Sequence, residues 1–152
     1  MLGLQQYPYN KPVPCARVTR SAAKSINDSS DTAIDFDQQR FMTDAIHSVS
    51  SNNTRLTVPY TGRYYIGASI EWAANATGVR RMLIKLNGST IIAGLLTDGS
   101  AADNGFMTIS TFFALSKSNY VELYVRQDSG GALNVNASGN NTPEFYMFYV
   151  TT

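Results

Sequence analysis

Charge is scarce in this chain. Only 15% of its 152 residues are Asp, Glu, Lys or Arg, and they balance to +1. With so small a balance and no basic run, there is no field to capture nucleic acid or an anionic membrane. The single cysteine, Cys15, cannot close a disulfide within the chain, which excludes a small disulfide-stapled scaffold. The single histidine, His47, has no second His or Cys at metal-ligand spacing. No stretch reaches ~18 consecutive apolar residues, so no membrane span is encoded. Helical periodicity is missing too. The best candidate, Gln38 to Ile46, is short, and no apolar pattern at helix spacing exceeds about two turns.

What the chain does have is Asn, Ser and Thr in place of Lys and Glu, a surface chemistry common in virion and adhesin β-proteins. Six Asn-x-Ser/Thr sequences, at Asn27, Asn52, Asn75, Asn87, Asn136 and Asn140, follow from that richness and are read as its by-product rather than as glycan sites. Apolar residues reach 43%, enough for the core of one ordinary domain. Met1 to Tyr9 lacks the basic start and apolar run of a signal peptide. Residues 1–14 carry Pro8, Pro12 and Pro14. Proline fixes φ and removes a donor, so this segment is expected to be an extended arm, with the domain proper spanning 15–152. Leu2, Leu4, Tyr7 and Tyr9 make the arm too apolar for a simple solvated tail, and they are its candidate anchors. Extended segments with a few apolar anchors order on a partner; a disordered chain terminus is the alternative.

From Ala16 onward, strand signals recur with turn residues between them. Ala16–Arg20, Thr32–Phe36 and Arg55–Pro59 are short candidates. Tyr64–Trp72 alternates, with Tyr64, Ile66, Ala68, Ile70 and Trp72 on one face and Tyr65, Gly67, Ser69 and Glu71 on the other. Val79–Leu86 runs into Asn87-Gly88, the strongest short hairpin signal because both residues accept φ > 0. Its return strand is Ser89–Leu96. Thr97–Gly105 reads as a polar loop, and Phe106–Leu115, Tyr120–Arg126 and Leu133–Val135 as strands. Many short strands at this spacing imply an antiparallel sandwich or barrel.

The last segment, Phe145–Val150, breaks the alternation that a half-solvated strand should show. Phe145, Met147 and Tyr149 cover one face; Tyr146, Phe148 and Val150 cover the other. One set can fill a core. The other needs a second partner, and in a short chain another copy of itself supplies one, since large exposed apolar patches mark interaction sites. A central strand covered by the chain's own loops is the alternative.

Together these segments resemble the jelly rolls of the tumour-necrosis-factor and complement 1q globular-head family. Leu56-x-Val58-Pro59-x-x-Gly62-x-Tyr64-x-Ile66 is similar to the start of a main strand there. Ile84-Lys85-Leu86-Asn87-Gly88 resembles the family's Asn-Gly hairpin. Ser110-x-x-x-Ala114-Leu115-x-Lys117-x-x-x-Val121-x-Leu123 resembles its paired late strands, with Ser118-Asn119 where Gly-Asp is usual. Phe145-Tyr146-Met147-Phe148 resembles its closing strand, with Met147 in place of Gly. The motifs run in family order from Leu56 to the C-terminus. No collagen-type Gly-x-y stalk precedes the domain, and such jelly rolls are also similar to trimeric domains of bacteriophage and bacterial surface proteins.

Catalytic chemistry finds little footing. His47 reads as a structural or surface residue, and no Gly-x-Ser-x-Gly elbow exists to host a nucleophile. Cys15 is far in sequence from His47, so thiol catalysis lacks support. Asp31, Asp35 and Asp37 could share one strand face, and Asp98 and Asp103 one loop, as calcium would require. Asp and Asn are equally ordinary turn formers. Arg80 and Arg81 are adjacent, point to opposite faces and make no basic patch. Trp72 and the tyrosines could stack sugars, but Trp72 falls in phase with Ile66 and Ile70, which favours core or interface.

The expectation is therefore an all-β antiparallel jelly-roll sandwich that assembles as a homotrimer, without catalytic residues, metal or cofactor. Tyr146, Phe148 and Val150 are the interface candidates, with Tyr64, Tyr65, Phe112, Phe113 and Tyr124 as further ones. The expected role is a virion or surface attachment protein of a phage (head fibre, decoration or tail), whose partners are itself, capsid or tail proteins, or a host-surface receptor. A secreted complement 1q-like module binding proteins or glycans is the alternative.

Overall fold

The period-2 segments do fold as strands, and every pairing between them is antiparallel, in a computed structural model that describes residues 10–100 and 104–152. The strands are β1 (Cys15–Thr19), β2 (Lys24–Ile26), β3 (Thr32–Ala33), β4 (Gln38–Met42), β5 (Arg55–Thr57), β6 (Gly62–Trp72), β7 (Asn75–Leu86), β8 (Thr90–Ser100), β9 (Gly105–Leu115), β10 (Tyr120–Gln127), β11 (Leu133–Val135) and β12 (Glu144–Thr151). They form two sheets. In the seven-stranded sheet the order runs β4, β1, β12, β6, β9, and β11 and β2 extend it where Val135 meets Trp72 at the end of β6. In the five-stranded sheet β8, β7 and β10 lie side by side, and short β5 and β3 share the far edge of β10.

The alternation in each long strand decides what lies between the sheets. From the larger sheet, Val18, Tyr64, Ile66, Ala68, Ile70, Trp72, Phe145, Met147 and Tyr149 point inward; from the smaller, Met82, Ile84, Val121, Leu123 and Val125 do. Each large apolar side chain so buried contributes ~1.5–3 kcal/mol. Aromatic geometry fixes the packing more tightly than area alone. The Phe36 and Phe145 rings stack at 5.8 Å, and Tyr64 meets Tyr149 edge-on at 5.4 Å. The Tyr64 hydroxyl donates to the Tyr60 carbonyl at 2.6 Å, and burial pushes its pKa up. The Asn87-Gly88 turn forms as read, with φ of 50° and 75°, and the Asn87 side-chain oxygen accepts from Tyr120 N–H at 3.0 Å.

Several boundaries differ from the sequence reading. The best helical candidate, Gln38 to Ile46, forms no helix: its first five residues, Gln38–Met42, are strand β4, because pairing along β1 satisfies their backbone. The strand expected over Thr32–Phe36 pairs only at Thr32–Ala33; the N–H groups of Ile34 and Phe36 go instead to the carbonyls of Leu123 and Asn53. The polar loop expected over Thr97–Gly105 is strand at its start, since β8 stays paired with β7 as far as Ser100. That end of the ladder is tied by Arg80, buried, whose guanidinium donates to the carbonyls of Asn75, Thr77 and Val79 at 2.9–3.1 Å. Arg81 lies on the opposite face, as alternation requires.

Candidate functional site

The closing strand β12 sits between β1 and β6, so its outward side chains stand in the middle of the larger sheet. Phe145, Met147 and Tyr149 are the buried set; Phe148 and Val150 are exposed and Tyr146 is half-buried. Register then builds a band across four strands. Cys15 pairs with Phe148, Phe148 with Tyr65, and Tyr65 with Phe112. In the adjacent row, Phe41 pairs with Arg17, Arg17 with Tyr146, Tyr146 with Gly67, and Gly67 with Ser110. Phe41, Phe112, Phe148 and Val150 are 42–54% exposed, a contiguous apolar patch on one sheet face.

The rings are ordered against each other. Tyr65 lies 5.3 Å from Phe148 and stacks on Tyr146 at 6.3 Å, 23° from parallel. Gly67 lets Tyr146 lie flat: a Cβ there would come within 2.3 Å of the Tyr146 hydroxyl oxygen and 2.4 Å of its ring. The phenol's partial burial pushes its pKa up. Phe41, Cys15, Arg17, Tyr146 and Phe148 line a cleft beside it. One end of the band is polar. The Glu144 carboxylate is buried and accepts from Arg17 Nε at 2.7 Å and from Arg40 Nε at 2.5 Å. Two half-exposed arginines thus hold one buried carboxylate at the rim.

Three interface candidates fall elsewhere. Tyr64 faces inward and is fully buried, being in phase with Ile66 and Trp72. Phe113, opposite Tyr64 in register, also faces inward and packs against the core. Tyr124 belongs to β10, in the other sheet, where Lys85 Nζ caps its ring at 4.1 Å. Tyr65, Phe112, Tyr146, Phe148 and Val150 do share the band. Sequence reading missed Phe41 and Cys15, because nothing in the chain reveals that β4 and β1 lie beside β12. The arm residues Leu2, Leu4, Tyr7 and Tyr9 lie outside the described residues. At its near end, the Pro14 carbonyl accepts from Tyr149 N–H at 2.9 Å.

The remaining polar candidates have structural partners. The His47 ring nitrogens lie 3.0 and 3.2 Å from the carbonyl oxygens of Arg55 and Phe36, which places the ring in a packing role. Asp31 pairs with Lys85, Asp35 with Lys24 and Arg20, and Asp37 with Ser21, so the three do not converge. Asp98 is on β8, and Asp103 is outside the described residues. Among the described residues no cluster of three His, Cys, Asp or Glu could hold a metal ion, and no helix is long and apolar enough to cross a membrane.

No family model matches the sequence, and no curated protein matches it in sequence. Solved structures match it in fold. Crystal structures of murine APRIL at pH 5.0 and at pH 8.0 superpose with TM-scores of 0.70 and 0.69; each covers 91% of this chain and 100% of its own. Their identities to it are 10% and 13%. At such identity the likeness is one of fold alone. This chain is an all-β antiparallel jelly roll of the tumour-necrosis-factor type.

Proposed function

We propose that this chain is a non-enzymatic recognition module that works as a homotrimer, with the outer face of the seven-stranded sheet closed around the threefold axis. The observation that carries this is the band Phe112, Tyr65, Phe148, Tyr146 and Phe41. It is apolar, continuous in register and bordered by the Glu144 ion pairs, the anatomy of an apolar interface core with a polar rim. In a cyclic assembly such a face buries itself against the neighbouring copies without leaving an open end. Light scattering at micromolar concentration tests it: a mass three times 16.6 kDa is expected, and a mass of 16.6 kDa overturns the assembly.

For the setting, we propose a virion attachment protein over a secreted module of complement 1q type. The surface poor in charge and rich in Asn, Ser and Thr, and the Pro/Tyr arm with Leu2, Leu4, Tyr7 and Tyr9, support this reading. Deleting residues 1–13 is expected to leave trimer and melting temperature intact and to abolish incorporation into the parent particle. Unchanged incorporation removes the arm's role. Capsid, portal or tail genes beside this one support the virion setting; a collagen repeat or secretion signal encoded upstream favours the alternative.

A further inference from the structure

Glu71 stands on the same outer face as the aromatic band, four residues along β6 from the band's nearer row at Gly67, or about 13 Å at ~3.3 Å per residue. It is buried, only 3% exposed, and among the described residues no Lys or Arg pairs with it. One carboxylate oxygen, Oε1, is occupied: it accepts from the side-chain amides of Asn136, at 3.0 Å, and Asn104. The other, Oε2, is buried and receives no donor among the described residues; the Thr142 Oγ1 is likewise buried and without a partner among them. Glu71 and Thr142 line one half-open cleft of about 80 Å³, together with Ser69, Phe106, Asn140 and Asn141. Phe106 is 67% exposed, the most exposed large apolar side chain among the described residues.

A buried carboxylate oxygen without a donor is costly, and two residues that line one cleft each carry such an unanswered polar atom, which a ligand entering the cleft could answer. The chemistry selects among donors. A divalent cation takes six or more hard oxygens, commonly several carboxylates, and the described residues lining the cleft supply one. An ammonium only donates, whereas the Thr142 hydroxyl and the side-chain amides also have hydrogens to give. A sugar edge carries adjacent hydroxyls that donate to Glu71 and accept from Thr142, and its C–H face suits the bare Phe106 ring. The cleft is large enough for such an edge, not for a whole oligosaccharide. We propose that this cleft is a carbohydrate subsite that takes the vicinal hydroxyls of a terminal monosaccharide, with Glu71 as the acceptor and Phe106 as the stacking platform. This deepens the recognition reading by naming a ligand class, and it does not depend on the trimer.

Saturation-transfer NMR on the full chain tests it, with methyl glycosides of mannose, galactose, glucose, fucose and N-acetylglucosamine as probes. Nα-acetyl-lysine methylamide serves as the ammonium control, with calcium chloride or EDTA added in parallel. At least one glycoside is expected to receive saturation at millimolar concentration, regardless of calcium. Glu71→Gln turns the free acceptor into a donor and is expected to weaken that glycoside ~tenfold or more, the loss of one hydrogen bond to a charged group. Phe106→Ala, at an exposed position that leaves the core intact, weakens it severalfold and keeps the test valid if Glu71→Gln does not fold. Three results overturn the subsite: no transfer to any glycoside, binding unaltered by Phe106→Ala, or preference for the lysine probe. Light scattering on the same samples separates this from the assembly: a trimer without sugar binding overturns the subsite alone, and a monomer that binds sugar overturns the trimer alone.

Discussion

The outer faces of the two sheets both carry aromatic side chains and treat them in opposite ways. On the five-stranded sheet, Arg55 lies over the Tyr120 ring at 3.9 Å and Lys85 over Tyr124 at 4.1 Å. Asp31 in turn pairs with Lys85 and Arg126. Long cationic side chains lay their apolar stems on the rings and keep their charge in water, so the face is finished without a partner. Ile91 and Leu96, on β8, are its exposed apolar exceptions. On the seven-stranded sheet, Tyr65 packs its ring against Phe148 and Tyr146, no cation lies over these rings among the described residues, and Phe41 and Phe112 are exposed. The arginines there turn to Glu144 instead of the rings. A cation on an aromatic ring suits a solvent face, and the bare stacked rings in register are what the proposed assembly would cover.

The largest effect should come from comparing neighbours on β12. Met147→Asp puts a carboxylate into the core, costs more than ~4 kcal/mol and is expected to abolish a cooperative melt. Phe148→Asp, one residue on, is expected to melt cooperatively and to have the monomer mass by light scattering. If both variants fold as trimers, the two faces are not different in kind. A smaller effect is expected at Gly67, where any Cβ collides with Tyr146. Gly67→Val should cost about 1–3 kcal/mol in urea titration and weaken the trimer. Adding Tyr146→Ala should return part of the stability, because the two substitutions act on one contact. On the finished face, Lys85→Ala should cost only about 0.5–1 kcal/mol and leave the mass unchanged. A change of oligomeric state there would erase the distinction between the faces.

The smallest effect is electrostatic. The Lys85 hydrogen bond, outweighing burial, holds the Asp31 carboxyl below its ordinary 3.8. At Asp35 burial pushes upward, but the Lys24 hydrogen bond and charge prevail and the net shift is downward. A carboxylate depressed on folding adds stability that is complete above its unfolded pKa and is lost as pH falls through the folded one. The melting temperature should therefore be flat in these groups near neutrality and decline below about pH 4. Asp31→Asn should shallow that decline slightly, as expected of a partly exposed pair; a steeper acid slope in the variant would contradict the assignment.

Legibility differed between elements for physical reasons. The doubled face of Phe145–Val150 was plain, because alternation is a local property of a strand and its absence shows in six consecutive residues. The Asn87-Gly88 hairpin was plain for the same reason: two residues suffice to set two positive φ angles. Tyr64 shares its phase with Ile66 and Trp72, so its burial was readable, whereas Phe113 took its face from its pairing with Tyr64. Tyr124 could not be assigned to a sheet by pattern, since both sheets are built from the same alternation. Phe41 was hidden in a stretch with faint helical spacing that only the edge of β1 makes into a strand. The Glu71 cleft depends on Asn104, Asn136 and Thr142, which arrive from three separate loops.

By itself, then, the sequence determined the class of structure and the two-sidedness of its last strand. Propensity, turn chemistry and period-2 alternation act between residues a few positions apart and are written in the chain. Which strands became neighbours was decided only by the tertiary structure. So were the register that aligned Phe112, Tyr65, Phe148 and Cys15 into one band, and the meeting of Asn104 and Asn136 on the buried Glu71 carboxylate. Those outcomes are set by contacts between residues far apart in sequence, whose free energy belongs to the folded whole and not to any segment of it.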